Sequence, residues 1–289
     1  MTMEIIDEND NRTYVLENKK IGFIGSGNMG EALIDGLIHS DRVKPNQILA
    51  TDASKERSDY ITETYGITLE PDAEALAKDS DIIMLAIKPA DVASVLFDIA
   101  PLVKGKLLIS IAAGITTEFI KKTLSDNGTE DAAIIRVMPN TPALIGEGAI
   151  GILAGKGTHS QNLFITEEIF RSVGEVAILD DEALMDSVTG LSGSGPAYVF
   201  LFIKSLIEGG IKEGLDEKTA TMLAIKTVVG ASKLAEISDA SLDDLIDMVS
   251  SPGGTTVEGL KALREGKMPE TIHKAVSSAT KRSKELSGG

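Results

Sequence analysis

The chain has 289 residues, of which 43% are apolar and 25% charged, an ordinary composition for a globular protein of about two domains. It contains no cysteine, which excludes disulfides, cysteine-ligated zinc, iron–sulfur clusters and a thiol nucleophile. The formal net charge of −16 disfavours a nucleic-acid partner, because such a surface repels phosphate backbones.

The rest of the composition indicates no metal site and no membrane partner. Only three histidines are present, far apart in sequence, so we expect no metal. No apolar run approaches the roughly 20 residues that a membrane span needs. Residues 1–19 are predicted to form a polar N-terminal extension, and they lack the apolar core of a signal peptide. We therefore expect a cytoplasmic protein.

From Lys20 to about residue 180, strand-like runs alternate with helical stretches, which predicts a doubly wound α/β sheet. Several runs are apolar without alternation, as in parallel strands that are covered on both faces. The predicted strands are Ile21–Ile24, Ile48–Thr51, Ile82–Ile87, Leu107–Ile111, Ile134–Met138, Ile150–Leu153 and Val176–Leu179. The predicted helices between the early strands are Met29–His39, Lys55–Tyr65, Ala73–Lys78, Asp91–Ile99 and Thr117–Leu124.

Beyond residue 181 the strand-like runs stop, so we predict two domains, 20–181 and 182–289, the second all-helical. Gly209 and Gly210 lie within a helical pattern, which indicates either close helix packing or a helix break. The predicted helices are Ala197–Lys212, Glu217–Glu236, Leu242–Val249, Val257–Arg264 and Pro269–Leu286.

A glycine-rich turn follows the first predicted strand and opens the first helix. In this G-x-G-x-x-G pattern, Gly25 permits a tight turn, Gly27 lets a pyrophosphate approach the backbone, and Gly30 lets the helix pack on the strand. The helix N-terminus favours negative charge. The sequence therefore predicts a dinucleotide site whose pyrophosphate contacts are Gly25, Ser26, Gly27, Asn28 and Met29.

The choice of dinucleotide stays open. Asp52 ends the second strand, where a carboxylate accepts hydrogen bonds from the adenosine ribose of NAD and repels the 2′-phosphate of NADP. Ser54, Lys55 and Arg57 follow directly and are able to hold a phosphate. Ser54 also suits a helix N-cap, and the two cations suit a solvated helix face.

Two further glycine-rich turns feed helices in the second half, an arrangement that suits anion binding. The first is Gly190-Leu191-Ser192-Gly193-Ser194-Gly195-Pro196-Ala197-Tyr198, and the second is Ser251-Pro252-Gly253-Gly254-Thr255-Thr256-Val257-Glu258. Thr255 and Glu258 also have the spacing of a capping box, so helix capping alone is the alternative.

Several separated motifs resemble those of the pyrroline-5-carboxylate reductase family, from Lys20 to Leu286. This resemblance implies a Rossmann-like sheet followed by an all-α dimerisation domain, NADPH or NADH as cofactor, and homodimers that in some members form decamers. The motifs are Gly22-Phe23-Ile24-Gly25-Ser26-Gly27-Asn28-Met29, Ala86-Ile87-Lys88-Pro89, Ala112-Ala113-Gly114, Met138-Pro139-Asn140-Thr141-Pro142, Leu191-Ser192-Gly193-Ser194-Gly195-Pro196-Ala197-Tyr198 and Ser250-Ser251-Pro252-Gly253-Gly254-Thr255-Thr256.

The resemblance also implies roles for individual residues. Thr256 matches the threonine that contacts the substrate, and it is the candidate catalytic residue. The substrate carboxylate would be held by Ser251, Gly253, Gly254, Thr255 and Thr256. The cofactor cleft would be lined by Ala86, Lys88 and Pro89, with Asn140 and Thr141 near the nicotinamide. Some members have serines or basic residues after the second strand where this chain has Asp52, which leaves NADPH or NADH open.

The expected reaction is hydride transfer to a protonated cyclic imine, giving L-proline. It depends on positioning two reactants and excluding water, so it needs neither a thiol nor a histidine. A β-hydroxyacid dehydrogenase is an alternative, but Lys204 would need an asparagine where Ile207 stands. A non-catalytic NAD(P)-binding relative is another, although this chain retains both glycine loops and Thr256.

Overall fold

The computed structural model describes residues 15–287. Most of the predicted extension, residues 1–14, lies outside the described residues. At its described end, Leu16 is buried in the core, and its carbonyl oxygen accepts a hydrogen bond from Gln47 Nε2 at 3.0 Å. The last residues of the extension therefore pack on the sheet domain.

The described residues form one eight-stranded sheet with the order β3-β2-β1-β4-β5-β6-β7-β8. The first six of these positions have the strand order of a doubly wound dinucleotide-binding fold, with crossovers on both faces. The strands are β1 Ile21–Ile24, β2 Ile48–Thr51, β3 Thr68–Leu69, β4 Ile82–Leu85, β5 Leu107–Ser110, β6 Ala133–Met138, β7 Gly148–Ala154 and β8 Gly174–Leu179.

The helices that flank the sheet bury a separate core on each of its faces. Ile82 and Met84 of β4 face one core, and Ile83 and Leu85 face the other, which explains the continuous apolar run. The helices are α1 Asn28–His39, α2 Lys55–Tyr65, α3 Ala73–Asp79, α4 Val92–Ile99, α5 Thr117–Asp126, α6 Ser160–Phe170 and α7 Ala183–Val188. Short 3₁₀ turns are Pro45–Gln47, Pro89–Asp91, Ala100–Leu102 and Thr141–Ile145.

The structure departs from the predicted pattern in four elements: β3, α6, α7 and β7. The edge strand β3 and the helices α6 and α7 were not predicted, and α7 continues into a π-helical turn, Thr189–Gly193. Strand β7 runs antiparallel to β6, whereas the other neighbouring strands pair in parallel. The α/β prediction is confirmed, with one reversal of strand direction near its end.

The remaining helices follow without a strand among the described residues, as predicted. They are α8 Gly195–Lys212, α9 Glu217–Ile237, α10 Leu242–Met248, α11 Thr255–Glu265 and α12 Met268–Ser287. Helix α8 continues through Gly209 and Gly210, so a helix break there is wrong. A Cβ on Gly210 would lie 3.4 Å from the Cβ of Ala220 on α9, which makes Gly210 a point of close packing.

The described chain divides into two compact units. The first, the sheet unit, contains residues 15–193 and 279–287, and the second, the helical unit, is Ser194–Ser278. The end of α12 belongs to the sheet unit, where Ser283 Oγ donates to Asp186 Oδ1 at 2.6 Å. The domain limits predicted from the sequence, 20–181 and 182–289, stay a prediction.

Candidate active site

The glycine loop joins β1 to α1 at the carboxyl edge of the sheet. Gly25 has φ +90°, and its amide donates to the Thr51 carbonyl oxygen at 2.8 Å. A Cβ on Gly25 would lie 2.5 Å from the carbonyl oxygen of Ala86, the residue that follows β4. This position therefore requires glycine for both its backbone angle and its close approach to a neighbouring strand.

The same loop leaves a cradle that suits a pyrophosphate. Gly27 is the N-cap of α1, and a Cβ there would meet no heavy atom of the described chain within 4 Å. Gly30 lies close to the turn, because its Cβ would come 2.8 Å from the Gly25 carbonyl oxygen. Open space in front of a helix N-terminus, with amides directed into it, fits the phosphates of a dinucleotide.

Asp52 is held against the glycine loop by three hydrogen bonds. Its Oδ2 accepts from Ser26 N at 2.8 Å and Ser26 Oγ at 3.0 Å, and its Oδ1 accepts from Ser54 N at 2.9 Å. Burial raises the pKa of Asp52, but these hydrogen bonds and the nearby Arg57 outweigh it and hold the pKa below its ordinary value. The carboxylate is therefore ionised at neutral pH.

The groups that could grip a 2′-phosphate are engaged within the chain. Ser54 Oγ accepts a hydrogen bond from Arg57 N at 3.3 Å and so caps α2, which confirms the N-cap role that the sequence offered as an alternative to phosphate binding. Lys55 Nζ pairs with Asp59 at 2.6 Å. Arg57 donates from Nε to the Ser26 carbonyl oxygen at 2.5 Å and pairs with Glu31. Sequence reasoning missed Glu31, since no local pattern joins residues 26 positions apart.

The segment after β4 borders this cradle. The Ala86 amide donates to the Ile24 carbonyl oxygen at 2.9 Å, so Ala86 lies beside the end of β1. Lys88 and Pro89 follow at the same edge, and Lys88 is exposed. The order of β1 and β4 makes this crevice the point where strand order reverses, the usual ligand position in such sheets.

Asn140 ties the loop after β6 to two other segments. Its Oδ1 accepts from Ala149 N at 2.9 Å, and its Nδ2 donates to the Ser192 carbonyl oxygen at 3.0 Å. Asn140 is buried, whereas Thr141 is exposed. The Asn140 amide is therefore used to shape the loop, and Thr141 is the exposed hydroxyl-bearing residue beside it.

The second predicted loop lies in the helical unit. Gly254, with its amide donating to the Ser251 carbonyl oxygen at 2.8 Å, is the N-cap of α11, and Gly253 has φ +71°. The predicted capping box is wrong, because Thr255 is the first helical residue rather than the cap. A glycine N-cap carries no side chain that would occupy the first-turn amides, which leaves Thr255 and Thr256 at an open anion-binding terminus.

Among residues 15–287, no group of three or more His, Asp or Glu side chains is placed to hold a metal ion.

Comparisons with known proteins find matches in both parts of the chain. A sequence profile described as pyrroline-5-carboxylate reductase dimerisation matches residues 182–286, and one described as NADP oxidoreductase, coenzyme F420-dependent, matches 20–114. The pyrroline-5-carboxylate reductase of Methanosarcina acetivorans is 42% identical over 94% of this chain and 99% of its own. The chain belongs to the pyrroline-5-carboxylate reductase family. The resemblance inferred from the motifs is thereby confirmed.

Solved structures of the family have the same fold. A reductase from Coxiella burnetii superposes with a TM-score of 0.88, at 36% identity over 93% of this chain and 98% of its own. The Plasmodium falciparum enzyme, solved with NADP bound, gives a TM-score of 0.83 at 35% identity over 94% of this chain and 99% of its own.

The dimerisation match coincides with many exposed apolar side chains. Phe200 and Leu201 on α8 are 64% and 66% exposed, and Ile237 on α9 is 79% exposed. By length and composition alone, one described segment, Ala183–Lys212, could cross a membrane, and little of it is buried. Apolar surface exposed on this scale usually marks an interaction site, and the family match indicates that the chain oligomerises.

Proposed function

We propose that this protein reduces 1-pyrroline-5-carboxylate to L-proline with NADPH or NADH. The observation that carries the proposal is the 42% identity to a reductase over 94% of the chain, which includes both glycine loops. An open, glycine-lined helix N-terminus at the sheet's reversal point supports a dinucleotide cofactor.

The cofactor is assigned to the sheet unit. Gly25, Ser26, Gly27, Asn28 and Met29 would contact the pyrophosphate, with Asp52 and Ser54 at the adenosine ribose. The cleft beyond would be lined by Ala86, Lys88, Pro89, Asn140 and Thr141. Asn140 acts by fixing the shape of its loop, because both ends of its amide are hydrogen-bonded inside the chain.

The substrate carboxylate is assigned to the loop before α11. Backbone amides of Gly253 and Thr255, with the Ser251 hydroxyl, offer hydrogen bonds to an anion at a helix N-terminus, and Gly254, whose own amide closes the turn onto the Ser251 carbonyl oxygen, keeps that terminus uncovered. Thr256, one residue into the first turn, is proposed to contact the imine nitrogen. The Ser251 side chain lies against this turn, since a Cβ on Gly254 would lie 2.6 Å from its Oγ.

The chemistry then depends on orientation. A nicotinamide held in this cleft would supply the hydride that the carbon of the protonated imine needs. The chain's own residues would hold the carboxylate at the one loop and fix the cofactor at the other, which lowers the entropic cost of bringing two reactants together. A threonine hydroxyl is a weak acid, so Thr256 orients or relays a proton rather than providing it.

The exposed apolar side chains of α8 and α9 support a proposal about assembly. We propose a homodimer, able to form a decamer, in which a second copy rather than lipid covers the apolar side chains of α8 and α9. An acidic chain with a net charge of −16 is a poor partner for nucleic acid.

We also propose a cytoplasmic location. Residues 20–181 are proposed to form the cofactor domain, and residues 182–289 the dimerisation and substrate domain.

The test is oxidation of NADH and NADPH by the purified chain with pyrroline-5-carboxylate. Substrate-dependent loss of the reduced nicotinamide's absorbance, with L-proline as product, is the expected result. Cofactor binding without turnover would contradict the proposal and favour a non-catalytic relative. Turnover of a β-hydroxyacid instead would favour the dehydrogenase alternative, although its candidate Lys204 is exposed and lies 3.8 Å from Glu208.

A further inference from the structure

Arg57 is turned back over the glycine loop instead of extending into solvent. Its Nε donates to the Ser26 carbonyl oxygen at 2.5 Å, and its guanidinium lies 5.1 Å from the centre of the Tyr60 ring. Its other end pairs with Glu31 on α1, and the two side chains are 24% and 21% exposed. Arg57 therefore links α2 to the cofactor loop as a partly buried, neutralised cation.

Glu31 is held in place to receive Arg57. The hydroxyls of Tyr60 and Tyr65 each donate to Glu31 Oε1 at 3.1 Å, while Arg57 bonds to Oε2. Burial raises the pKa of Glu31, but the bonds from Arg57 and the two tyrosines outweigh it and lower the pKa below its ordinary value. Glu31 is therefore a permanently charged partner at neutral pH.

The charges near the ribose position disfavour an added phosphate. Three donors from Ser26 and Ser54 already occupy Asp52, which has about four lone-pair sites and so retains room for a ribose hydroxyl. A 2′-phosphate would instead meet an ionised carboxylate. The nearby cations, Lys55 and Arg57, are each already paired with a carboxylate.

We infer that Glu31 determines cofactor specificity: it holds and neutralises Arg57 on the glycine loop, so that with Asp52 the chain prefers NADH to NADPH. The reaction that uses this cofactor rests on the proposed function, but the preference itself is a property of the sheet unit. It would distinguish this chain from the Plasmodium falciparum relative, which was solved with NADP bound.

The test is calorimetric titration of the full chain with NADH and with NADPH, without substrate. We expect the unsubstituted chain to bind NADH at least about tenfold more tightly, because like charges face each other only with NADPH. The ratio of the affinity for NADH to the affinity for NADPH should fall by about threefold or more in Glu31→Gln, because Arg57 is released from its ion pair. Adding Arg57→Gln to that variant should cancel the change, since the two residues act as a pair.

Two further variants separate this role from simple charge or folding effects. Glu56→Gln removes the same charge from an exposed position on α2 without touching Arg57, and should leave the ratio within about twofold. Tyr65→Phe removes one of the bonds that hold Glu31, and should shift the ratio in the same direction as Glu31→Gln by less. It also keeps the inference testable if Glu31→Gln does not fold.

Tighter or equal binding of NADPH by the unsubstituted chain would overturn the preference. Equal shifts in Glu31→Gln and Glu56→Gln would overturn the role of Glu31, since charge alone would explain them. Binding is measured without substrate, so the two tests are independent. Failure to reduce pyrroline-5-carboxylate would contradict the proposed function, whereas the cofactor preference is decided by the titrations alone.

Discussion

Arg136 on β6 donates from one terminal nitrogen to Glu182 Oε1 at 3.0 Å, joining the sheet to the segment just before α7. The Arg136 side chain is 3% exposed, and Glu182 also accepts from Thr117 N at 3.0 Å and Thr117 Oγ1 at 2.6 Å. The other terminal nitrogen of Arg136 has no hydrogen-bond partner among the described residues. Glu182 is therefore the group that balances a buried charge.

Glu182→Ala should destabilise the protein by about 3 kcal/mol, because it leaves the Arg136 guanidinium buried and unbalanced. Urea denaturation measures the loss. Glu118→Ala removes a carboxylate from an exposed position on the neighbouring α5 and should cost less than about 0.5 kcal/mol. Equal effects of the two substitutions would show that the ion pair contributes nothing to stability.

Two glycines of the cofactor loop should respond differently to alanine. Gly25→Ala forces an unfavourable φ and places a Cβ 2.5 Å from a carbonyl oxygen, so it should destabilise the fold by about 1–3 kcal/mol. Gly27 has φ −58° and open space before it, so Gly27→Ala should fold normally. It should instead weaken cofactor binding about tenfold or more, near 1.4 kcal/mol.

Thermal melts and cofactor titrations of both variants decide between these outcomes. If a folded Gly27→Ala protein binds the cofactor with unchanged affinity, the loop does not contact the pyrophosphate.

Asp52→Ser should raise the ratio of kcat/KM for NADPH to that for NADH. The substitution removes the ionised carboxylate that would repel a 2′-phosphate, and leaves a hydroxyl in its place. Initial rates with both cofactors and the same substrate measure the ratio. If the ratio does not rise in a folded variant, Asp52 does not select the ribose.

Thr256→Ala should lower kcat/KM by about tenfold or more, which corresponds to about 1.4 kcal/mol of transition-state stabilisation. Thr256→Ser retains the hydroxyl and should recover most of the activity. Steady-state kinetics of the two variants with saturating cofactor make the comparison. Normal kcat/KM in Thr256→Ala would exclude Thr256 from the reaction.

The ion pair of Glu31 predicts a pH-dependent stability. Because the pKa of Glu31 is lowered on folding, its contribution is complete above the ordinary value of 4.5 and is lost as the pH falls through the folded value. The protein should therefore exceed Glu31→Gln in stability at neutral pH, and the difference should shrink below pH 4.5. Urea midpoints of both proteins across this range test it, and a constant difference would contradict the assignment.

Local patterns predicted most of the elements. The limits of β1, β2 and α2 agree with the predicted runs Ile21–Ile24, Ile48–Thr51 and Lys55–Tyr65. The two-residue strand Thr68–Leu69 carries too few residues for a periodic signal, and it forms only because β2 offers an edge to pair with. The reversed direction of β7 likewise depends on its neighbours rather than on its own residues.

The sequence by itself determined the glycine-rich turns, the order of sheet followed by helices, and the family, because these depend on residue types at short, regular spacings. Only the tertiary structure decided what surrounds them. It brought Glu31 to Arg57, Arg136 to Glu182 and Asn140 to Ser192, pairs separated by 26 to 52 positions. Such pairs are set by how strands and helices pack, since no local periodicity connects side chains so far apart along the chain.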